Sequence, residues 1–460
     1  MSVARVQDGV HGLMEFVGME TLVVQILRTA ELQRLRRIRQ LGLAYFVFPG
    51  AEHSRLVHSL GAAHLAIRFA KRLAESGCEF LSDLLVPDET AIRDIAIAAL
   101  CHDVGHGPLS HVWEREVITN DFNRETWCRS LGIPCDKSTK SLGWHELVGQ
   151  GLLRWPDGQL HQVLEQQEEG ITERLSTMLT DTYYIPYLPM ILSNDVDVDR
   201  CDYIFRDAHE TGVQYGRYDL NWLISTMEIG VTDGDQLVVG FDGQKAPSVL
   251  EQFFVARRAL YETVYYHKTV QSAEAMVGLL FKRLKIVVRD IGPAAFPQAR
   301  MFQSYLKALM GEVLGPEDLL RLDDYALWVL IRELRPHSDP TVDDLARRLV
   351  ERDLFKMVRC KSEVVEHFFD QVDAHDRLKE CLRPYCAEPS SYYYHAHEPI
   401  KGLNEDPRKS AYFVEFPTRR ATRAREDKRL RQLWESPPAS HRLFVPREAL
   451  EDVEILVRGR

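Results

Sequence analysis

The chain has 460 residues, about three times the ~150 residues of a typical domain, so its length is compatible with one large domain or two to three smaller ones. Hydrophobic residues make up 45% and charged residues 27% of the sequence, which excludes a disordered, collagen-like or membrane-embedded chain. The 57 Lys and Arg residues against 68 Asp and Glu residues give a net charge of -11. Proteins that coat nucleic acid non-specifically are basic, so we expect neither nucleic acid nor a membrane as a partner.

Residues 1–16 have neither the charged and apolar regions nor the cleavage site of a secretory signal. No apolar run reaches the roughly 18 residues needed to cross a bilayer, and we therefore expect a cytoplasmic protein. The eight cysteines are too few for a disulfide scaffold and form no CxxC pair, so eight free thiols are expected.

Helical periodicity dominates the chain. Apolar residues recur at steps of three and four from Leu22 to Leu41, which predicts one amphipathic helix over 20–42. The same pattern predicts helices over 61–76, 88–102, 145–154, 171–183, 248–285, 301–313 and 341–357. The stretch Gln236–Phe241 lies between two Asp-Gly pairs and predicts part of a small hairpin, and a second strand is predicted over 411–416. From about Ala387 the sequence becomes Tyr-, Pro- and charge-rich, and we interpret its charge run as solvated surface.

Residues 96–114, AIAALCHDVGHGPLSHVWE, concentrate three histidines beside an aspartate. His102 and Asp103 are adjacent at the end of an apolar helix, and His106 and His111 follow among glycines that let the backbone approach a ligand. Adjacent helical residues point about 100° apart, so His102 and Asp103 can both reach one metal ion only if the ion lies beyond the flank of the helix. That geometry needs further ligands from other helices. We interpret this pair as functional.

Two distant segments offer those ligands. Upstream, SRLVHSLGAAHLA supplies His58, and downstream Asp199, Tyr203 and Asp207 recur at four-residue steps on one helical face. A lone histidine such as His64 is more often packed or at the surface than a ligand, and an acidic cluster can simply begin a helix.

The set of His58, His102-Asp103 and Asp199 resembles the H...HD...D signature of HD-domain metal-dependent phosphohydrolases. The segments FPGAEHSRLVHSLGAAHLA, LCHDVGHGPLSHVWE, DVDRCDYIFRDAHETG and YYHK are similar to those of the HD-domain deoxynucleoside triphosphate (dNTP) triphosphohydrolases, in particular the branch that includes the SAM-and-HD-domain enzyme. The similarity runs from about Val6 to about Lys361, with no SAM domain before it.

That resemblance implies a mainly α, HD-domain helical fold with a small β-hairpin. It implies a helical core over 1–386, with the HD motif region at about 53–210, and a smaller mixed C-terminal extension over 387–460.

The resemblance also implies a divalent metal ion with four ligands, His58, His102, Asp103 and Asp199. Two imidazoles and two carboxylates suit Mn, Mg, Fe or Zn, and the sequence does not choose among them. His106 matches a histidine near the α-phosphate. His111 matches a general acid near the 5′ oxygen, and Glu114 stands where the family commonly has an aspartate that orients this histidine.

Two further groups of residues follow from the resemblance. Arginines implied to bind phosphate are Arg55, Arg200, Arg257 and, in addition, Arg206. Residues implied to line the deoxyribose are Gln40, Leu41, Tyr203 and Asp207. An aromatic ring packed at the 2′ carbon leaves a ribose hydroxyl no room, which would explain selectivity for deoxynucleotides. Without the resemblance, Tyr203 is better interpreted as ordinary helix packing.

The implied reaction is hydrolysis of a dNTP to deoxynucleoside and inorganic triphosphate by attack at the α-phosphorus. Family members assemble into nucleotide-activated tetramers, and we expect a homo-oligomer, a dimer or tetramer, with a nucleotide effector as a further partner. Gln33 and Arg36 match effector contacts, but Arg28 replaces the aspartate that reads guanine, so guanine-specific activation is doubtful. Two alternatives stay open. One is another HD phosphohydrolase, acting on a nucleoside monophosphate, a cyclic nucleotide or single-stranded nucleic acid, and the other is a non-catalytic nucleotide sensor.

Overall fold

The computed structural model describes residues 2–78, 80–118, 123–136, 139–140, 142–398, 406, 409–434 and 440–459. Helices dominate these residues, as the sequence predicts. The α-helices are α1 (Leu22–Ile26), α2 (Ala30–Arg34), α3 (Arg55–Gly77), α4 (Glu89–Cys101), α5 (His111–Trp113), α6 (Arg124–Leu131), α7 (Trp144–Arg154), α8 (Gln159–Gln167), α9 (Ile171–Leu179), α10 (Val198–Thr211), α11 (Leu220–Ser225), α12 (Pro247–Leu260), α13 (Lys268–Ile291), α14 (Gln303–Leu309), α15 (Pro316–Leu319), α16 (Asp324–Glu333), α17 (Pro340–Val350), α18 (Ser362–Phe369), α19 (Ala374–Leu382), α20 (Lys428–Trp434) and α21 (Leu450–Val457). Two π-helical turns span Glu114–Ile118 and Tyr261–Tyr265.

The strands are β1 (Val3–Asp8), β2 (Gly12–Val17), β3 (Met227–Val231), β4 (Leu237–Asp242), β5 (Lys356–Met357), β6 (Tyr394–Glu398), β7 (Tyr412–Glu415), β8 (Arg420–Arg423) and β9 (Ser440–Val445). The predicted hairpin over 236–241 is confirmed as β4 paired antiparallel with β3, and the predicted strand over 411–416 is β7. The antiparallel hairpin of β1 and β2 was not predicted. Strands are recognised by an alternation of buried apolar and exposed residues, and in this hairpin only Met14 and Phe16 are fully buried apolar residues.

The centre of the fold is the pair α3 and α4, which pack against each other, while α10 and β3 pack against α3. Helix α4 is apolar almost throughout and begins at Asp88, whose side chain accepts a hydrogen bond from the Ala91 amide. Its residues 94–101 are all buried. Because the ends of these central helices carry the predicted ligands, the packed core of the fold positions them.

The predicted continuous helix over 20–42 is wrong. The chain forms α1, leaves helical geometry at Thr29 (φ -70°, ψ 150°), forms α2 and a 3-10 turn, and becomes extended at Ile38. Tertiary contacts hold the break, since the Gln159 side chain accepts from the Ala30 amide and the Thr29 hydroxyl donates to the Ile26 carbonyl. The apolar residues are still buried, so the periodicity reflects burial rather than one helix.

The predicted helix over 248–285 is likewise two helices, α12 and α13. They are separated by the π-turn Tyr261–Tyr265 and by His267, whose side chain accepts a hydrogen bond from the Thr269 amide and begins α13. The YYHK segment therefore lies at a junction between helices, where its aromatic side chains can face a cavity.

The C-terminal strands pair with strands from earlier in the chain. Strands β7 and β8 close a four-stranded barrel with β3 and β4, and β9 lies between β5 and β6 in a three-stranded sheet. The domain boundary at 386/387 stays a prediction. All eight cysteines are free thiols, as predicted. Within the described residues, no helix combines the length and the apolar character that a membrane span requires.

Candidate metal and active site

Three helix ends bring the predicted metal ligands together. His58 lies in the first turn of α3, His102 and Asp103 directly follow α4, and Asp199 lies in the first turn of α10. The start of α10 is fixed by Asp197, whose carboxylate accepts a hydrogen bond from the Arg200 amide. Residues far apart in the chain thus meet at one point beside the core.

The distances within this cluster are short. His58 Nε2 lies 3.0 Å from Asp199 Oδ1 and 3.6 Å from Asp103 Oδ2. His102 Nε2 lies 3.3 Å from Asp103 Oδ1 and 3.6 Å from Asp199 Oδ1. Donor atoms of His58, His102 and Asp199 all lie within 4.8 Å of one another, so these three side chains can hold a metal ion, and Asp103 adjoins them.

The two imidazoles are oriented as metal ligands are. His58 Nδ1 lies 2.8 Å from Asp202 Oδ2 and His102 Nδ1 lies 2.6 Å from the Ala99 carbonyl oxygen, so each Nδ1 can donate its proton to an acceptor. Both Nε2 atoms are buried, and neither has a hydrogen-bond partner among the residues that the structure describes. Two orphaned nitrogens facing two carboxylates fit a divalent cation.

Asp202 supports the cluster from behind. Its carboxylate lies 2.6 Å from His11 Nε2, at the β1–β2 turn, and accepts a 2.8 Å hydrogen bond from Arg206 Nε. Burial opposes ionisation, but Arg206 and the two histidines outweigh it and hold the pKa of Asp202 well below its ordinary value. Arg206 also binds Asp8 at 2.9 Å and does not line the cavity described below. The guanidinium of Arg206 thus holds Asp202 and Asp8, and its binding of phosphate stays a prediction.

The carboxylates of the cluster are kept ionised. Burial raises the cost of charge on Asp103, but Arg55, with Nη1 2.5 Å from Asp103 Oδ2, and His102 outweigh it and hold the Asp103 pKa well below the ordinary value. The pKa of Asp199 is also lowered, since His102 and His58 overcome its burial. Burial disfavours charge on the two imidazoles, but Asp199 and Asp202 raise the pKa of His58 to about 10, and Asp103 and Asp199 raise the pKa of His102. The ionised carboxylates therefore favour positive charge at this point, which a metal cation can supply in place of the imidazole protons.

A second cluster adjoins the first. His106 Nε2 lies 3.3 Å from Asp103 Oδ1, and the His106 ring stacks on the His145 ring at 4.0 Å. Glu114 Oε1 accepts from the His145 amide at 2.7 Å and lies 2.8 Å from His145 Nδ1, while Glu114 Oε2 lies 3.3 Å from His111 Nδ1. The pairing of Glu114 with His111 that the sequence predicts is thus observed.

The side chains of this second cluster differ in the direction in which their pKa is shifted. Burial, together with the nearby Arg55 and His145, lowers the pKa of His106 well below its ordinary value, so His106 is neutral. Burial opposes ionisation of Glu114, but its contacts with His111 and His145 outweigh it and lower the Glu114 pKa. Glu114 in turn raises the pKa of His145 against the effect of burial. The side chain of His111 is 71% exposed and therefore reaches open space.

His145 was not predicted. It is the second residue of α7, and its only sequence signal is its position at a helix start that the Gly143 amide and the Glu146 carboxylate cap. A single histidine at a helix start is a weak signal, and only the tertiary structure places it against His106.

The turn before His111 has an unusual backbone. Leu109 and Ser110 have φ of 53° and 55°, a region that costs non-glycine residues free energy. The turn is held by the Leu109 amide, which donates to Asp324 Oδ1 at 2.7 Å, and by Arg55 Nε, which donates to Ser110 Oγ at 2.8 Å. Asp324 is buried, which raises its pKa to about 6. Arg55 therefore connects this turn to the metal-ligand cluster.

Both clusters face one cavity of about 810 Å³, within the usual size of a ligand site. Six of the seven residues predicted to bind substrate line it: Gln40, Leu41, Arg55, Arg200, Tyr203 and Asp207. The seventh, Arg257, does not line the cavity. Its guanidinium carbon lies 5.0 Å from the ring centroid of Tyr261, and Tyr261 does line the cavity.

Asp207 accepts a 2.6 Å hydrogen bond from Tyr265 and lies 2.9 Å from His53 Nε2. Neither of these partners was predicted.

The predicted effector contacts lie elsewhere. Arg36 Nε donates to Gln33 Oε1 at 2.8 Å, on the exposed side of α2 and the following turn, and neither residue lines the cavity.

Known proteins resemble this chain in sequence and in fold. Residues 55–207 match the HD domain family. The uncharacterized protein YwfO of Bacillus subtilis is 28% identical over 81% of this chain and 75% of its own length. The deoxynucleoside triphosphate triphosphohydrolase SAMHD1 of Bos taurus is 27% identical over 80% of this chain, and the human SAMHD1 is 31% identical over 59%. This chain spans only 62% and 43% of the length of these two enzymes.

Solved structures show the same fold. A phosphohydrolase from Bacteroides thetaiotaomicron superposes with a TM-score of 0.71 over 97% of this chain and all of its own, at 22% identity. A hypothetical protein from Aquifex aeolicus superposes with a TM-score of 0.67 over the full length of this chain and 99% of its own, at 23% identity.

Proposed function

Because residues 55–207 form an HD domain and most of the chain is similar to dNTP triphosphohydrolases, we propose that this protein hydrolyses dNTPs to deoxynucleoside and inorganic triphosphate. One observation carries the proposal. A cluster suited to a divalent metal ion and a cluster suited to proton transfer face the same cavity, joined where His106 Nε2 lies 3.3 Å from Asp103 Oδ1. Phosphate-ester hydrolysis needs both functions within reach of one phosphorus atom.

The proposed metal ligands are His58, His102, Asp103 and Asp199. A divalent ion bound there supplies Lewis-acid polarisation of a phosphoryl oxygen and lowers the pKa of bound water. Arg55 and Arg200 bind phosphate oxygens through their guanidinium groups. Neutral His106, beside Arg55, donates a hydrogen bond to the α-phosphate without adding a buried charge.

The second cluster protonates the leaving group. The oxygen of water forms a bond to the α-phosphorus and releases a proton, while the bond between that phosphorus and the 5′ oxygen breaks. His111 gives its proton to the 5′ oxygen, and the proton released by the water restores His111 through the solvent that reaches its exposed ring. Glu114 holds the His111 ring by its 3.3 Å contact and is itself held by His145. The exposure of His111 supports this assignment, because a general acid must reach a leaving group inside the cavity.

The residues of α10 that line the cavity support a site for a deoxyribose. Tyr203 lies in α10 one turn after Asp199, and its ring centroid is 6.1 Å from that of Tyr265. We assign Tyr203 to the 2′ carbon and Asp207, with Gln40, to the 3′ hydroxyl. The ring leaves a ribose 2′ hydroxyl without space or a hydrogen-bond partner.

We further propose that the protein forms a homo-oligomer and binds a nucleotide effector outside the active-site cavity. A second cavity of about 460 Å³ supports this, because every charged residue that lines it is a cation: Lys268, Arg352, Lys356, Arg359 and Arg447. Gln33 and Arg36 do not line it. Light scattering with and without dNTPs, on the wild type and on Lys356→Ala with Arg447→Ala, tests the proposal. A nucleotide-dependent mass increase that the double variant lacks supports it, and an unchanged mass contradicts it.

The main proposal is tested by product identity. The purified protein is incubated with Mn²⁺ or Mg²⁺ and each dNTP, separately and mixed, and the products are separated by chromatography. Deoxynucleoside with inorganic triphosphate is the expected result. Orthophosphate from a nucleoside monophosphate, with dNTPs untouched, would instead identify another HD phosphohydrolase. Inactivity across metals and nucleotide mixtures would favour the sensor, although the intact donor cluster argues against it.

A further inference from the structure

A short C-terminal segment forms part of the active-site wall. Lys409 lines the same cavity as the two clusters, although it lies about two hundred residues beyond the HD domain match. No sequence feature of the extension over 387–460 predicted such a contribution. The segment therefore connects a region of unassigned role to the proposed substrate site.

The position of Lys409 is fixed by buried hydrogen bonds to the loop before α10. The Asp195 amide donates to the Lys409 carbonyl at 2.8 Å, and Asn194 Nδ2 donates to the Ser410 carbonyl at 3.1 Å. The Ala411 amide donates to Asp195 Oδ2 at 3.3 Å. Asn194, Asp195, Ser410 and Ala411 are all buried, so water does not compete for these bonds. Strand β7 begins at the next residue and holds the segment from its other side.

The same loop holds Arg200, which we propose binds phosphate. Arg200 Nη1 donates to the Asn194 carbonyl at 2.6 Å and also binds the carboxylate of Asp197. Asn194 therefore contacts Arg200 through its carbonyl and the Lys409 segment through its side chain. Lys409 and Arg200 consequently belong to one wall of the cavity.

The negative charge of a triphosphate substrate requires cations in the wall of the cavity. The three arginines that line the cavity all lie near carboxylates: Arg55 contacts Asp103, Arg200 contacts Asp197, and Arg115 lies 3.7 Å from Glu274. A triphosphate carries several negative charges along a flexible chain and needs more than two cations. The ammonium group of a lysine, on a long stem, suits the terminal phosphates, whereas the planar guanidinium suits bidentate contacts.

We propose that Lys409 binds the terminal phosphates of the dNTP, so that the C-terminal extension completes the substrate site. This inference rests on the proposed function of the cavity. It assigns to the extension a direct contact with the polyphosphate part of the substrate and no contact with the deoxynucleoside.

The test compares Lys409→Ala and Lys409→Arg with Lys428→Ala, an exposed lysine of the same extension that does not line the cavity. Steady-state kinetics on dNTPs gives KM and kcat, and calorimetry gives the affinity for inorganic tripolyphosphate and for the deoxynucleoside product. Loss of one charge-assisted hydrogen bond predicts that Lys409→Ala raises KM and weakens tripolyphosphate binding by about 10- to 100-fold. Deoxynucleoside binding and the melting temperature stay unchanged, and kcat changes less than KM.

Lys409→Arg is expected to recover most of the lost affinity, and Lys428→Ala to behave as the wild type. Equal tripolyphosphate affinity in Lys409→Ala and the wild type would overturn the inference. An equal loss of tripolyphosphate and deoxynucleoside binding would overturn it too, because that result indicates a distorted cavity. If the wild type binds tripolyphosphate through Lys409 but leaves dNTPs intact, the proposed reaction fails while the inference holds.

Discussion

The two clusters that face the cavity are neighbours with opposite construction. The metal-ligand cluster is built from helix ends, and behind it lies a fully buried Asp202 bonded to His58, His11 and Arg206. The acid–base cluster follows a turn with left-handed backbone at Leu109 and Ser110, and its His111 side chain is 71% exposed. A donor set supported by buried hydrogen bonds suits an ion that stays bound. An exposed imidazole on a turn suits a proton that must reach a leaving group.

The largest expected effect comes from removing the donor set. The double variant His102→Ala with Asp103→Ala should lose bound metal, and turnover should fall by about 10⁴-fold or more, because Lewis-acid catalysis contributes several kcal/mol. Elemental analysis of the purified protein measures the metal, and product chromatography measures turnover. Retained turnover would refute the assignment of these ligands.

Removing the proposed general acid should separate the two clusters. His111→Ala should lower kcat by about 10³-fold through loss of proton transfer to the 5′ oxygen, with metal content equal to that of the wild type. The measurements are single-turnover rates and metal stoichiometry on the same sample. If metal content falls in parallel with the rate, the two clusters are one unit and the comparison fails.

The supporting carboxylates should act in opposite ways. Asp202→Asn should weaken metal affinity by about 10- to 100-fold, because it no longer fixes the His58 imidazole, while Glu114→Gln should lower kcat and leave metal affinity unchanged. Titration with a chelator-buffered metal measures the first effect without any turnover. Equal metal affinities in the two variants would show that Asp202 does not position His58.

Much of this site could be predicted from the sequence, because its residues lie in short sequence motifs. His58, His102, Asp103 and Asp199 lie at helix ends in segments whose pattern of histidine, aspartate and glycine is visible in the chain. What could not be predicted depends on tertiary packing. His145 and Asp324 reach the site from α7 and α16 without any local motif. The contacts of Arg206 with Asp8 and Asp202 likewise depend on the fold, which brings these two carboxylates together.

The fold shows the same division. Apolar periodicity predicted which residues of 20–42 are buried, but side-chain contacts from Gln159 decided where α2 begins. The pairing of β7 with β4 and of β8 with β3 joins Phe241 to Phe413 and Val231 to Arg420, and no local pattern specifies a pairing between such distant segments.

The smallest expected effect concerns the packing behind the metal-ligand cluster. His64, whose ring centroid is 5.8 Å from that of His11, has its pKa lowered to about 4 by burial and by the nearby His11 and Arg68. Since the folded pKa lies below the unfolded value of 6.5, the stability held above pH 6.5 is lost as the pH falls toward 4.

From pH 7 to pH 5, this histidine should cost about 2 kcal/mol of unfolding free energy, and His64→Gln should remove that part of the loss. Urea unfolding of both proteins at the two pH values measures the difference. The same decline in both proteins would mean that His64 is protonated equally easily in the folded and unfolded states.

The central claim is attack by water at the α-phosphorus, with departure of the 5′ oxygen. Hydrolysis of a dNTP in ¹⁸O-labelled water, followed by mass spectrometry of both products, tests it most directly. The account predicts one ¹⁸O atom in inorganic triphosphate and none in the deoxynucleoside. Label in the deoxynucleoside, or products consisting of a nucleoside monophosphate and pyrophosphate, would contradict it.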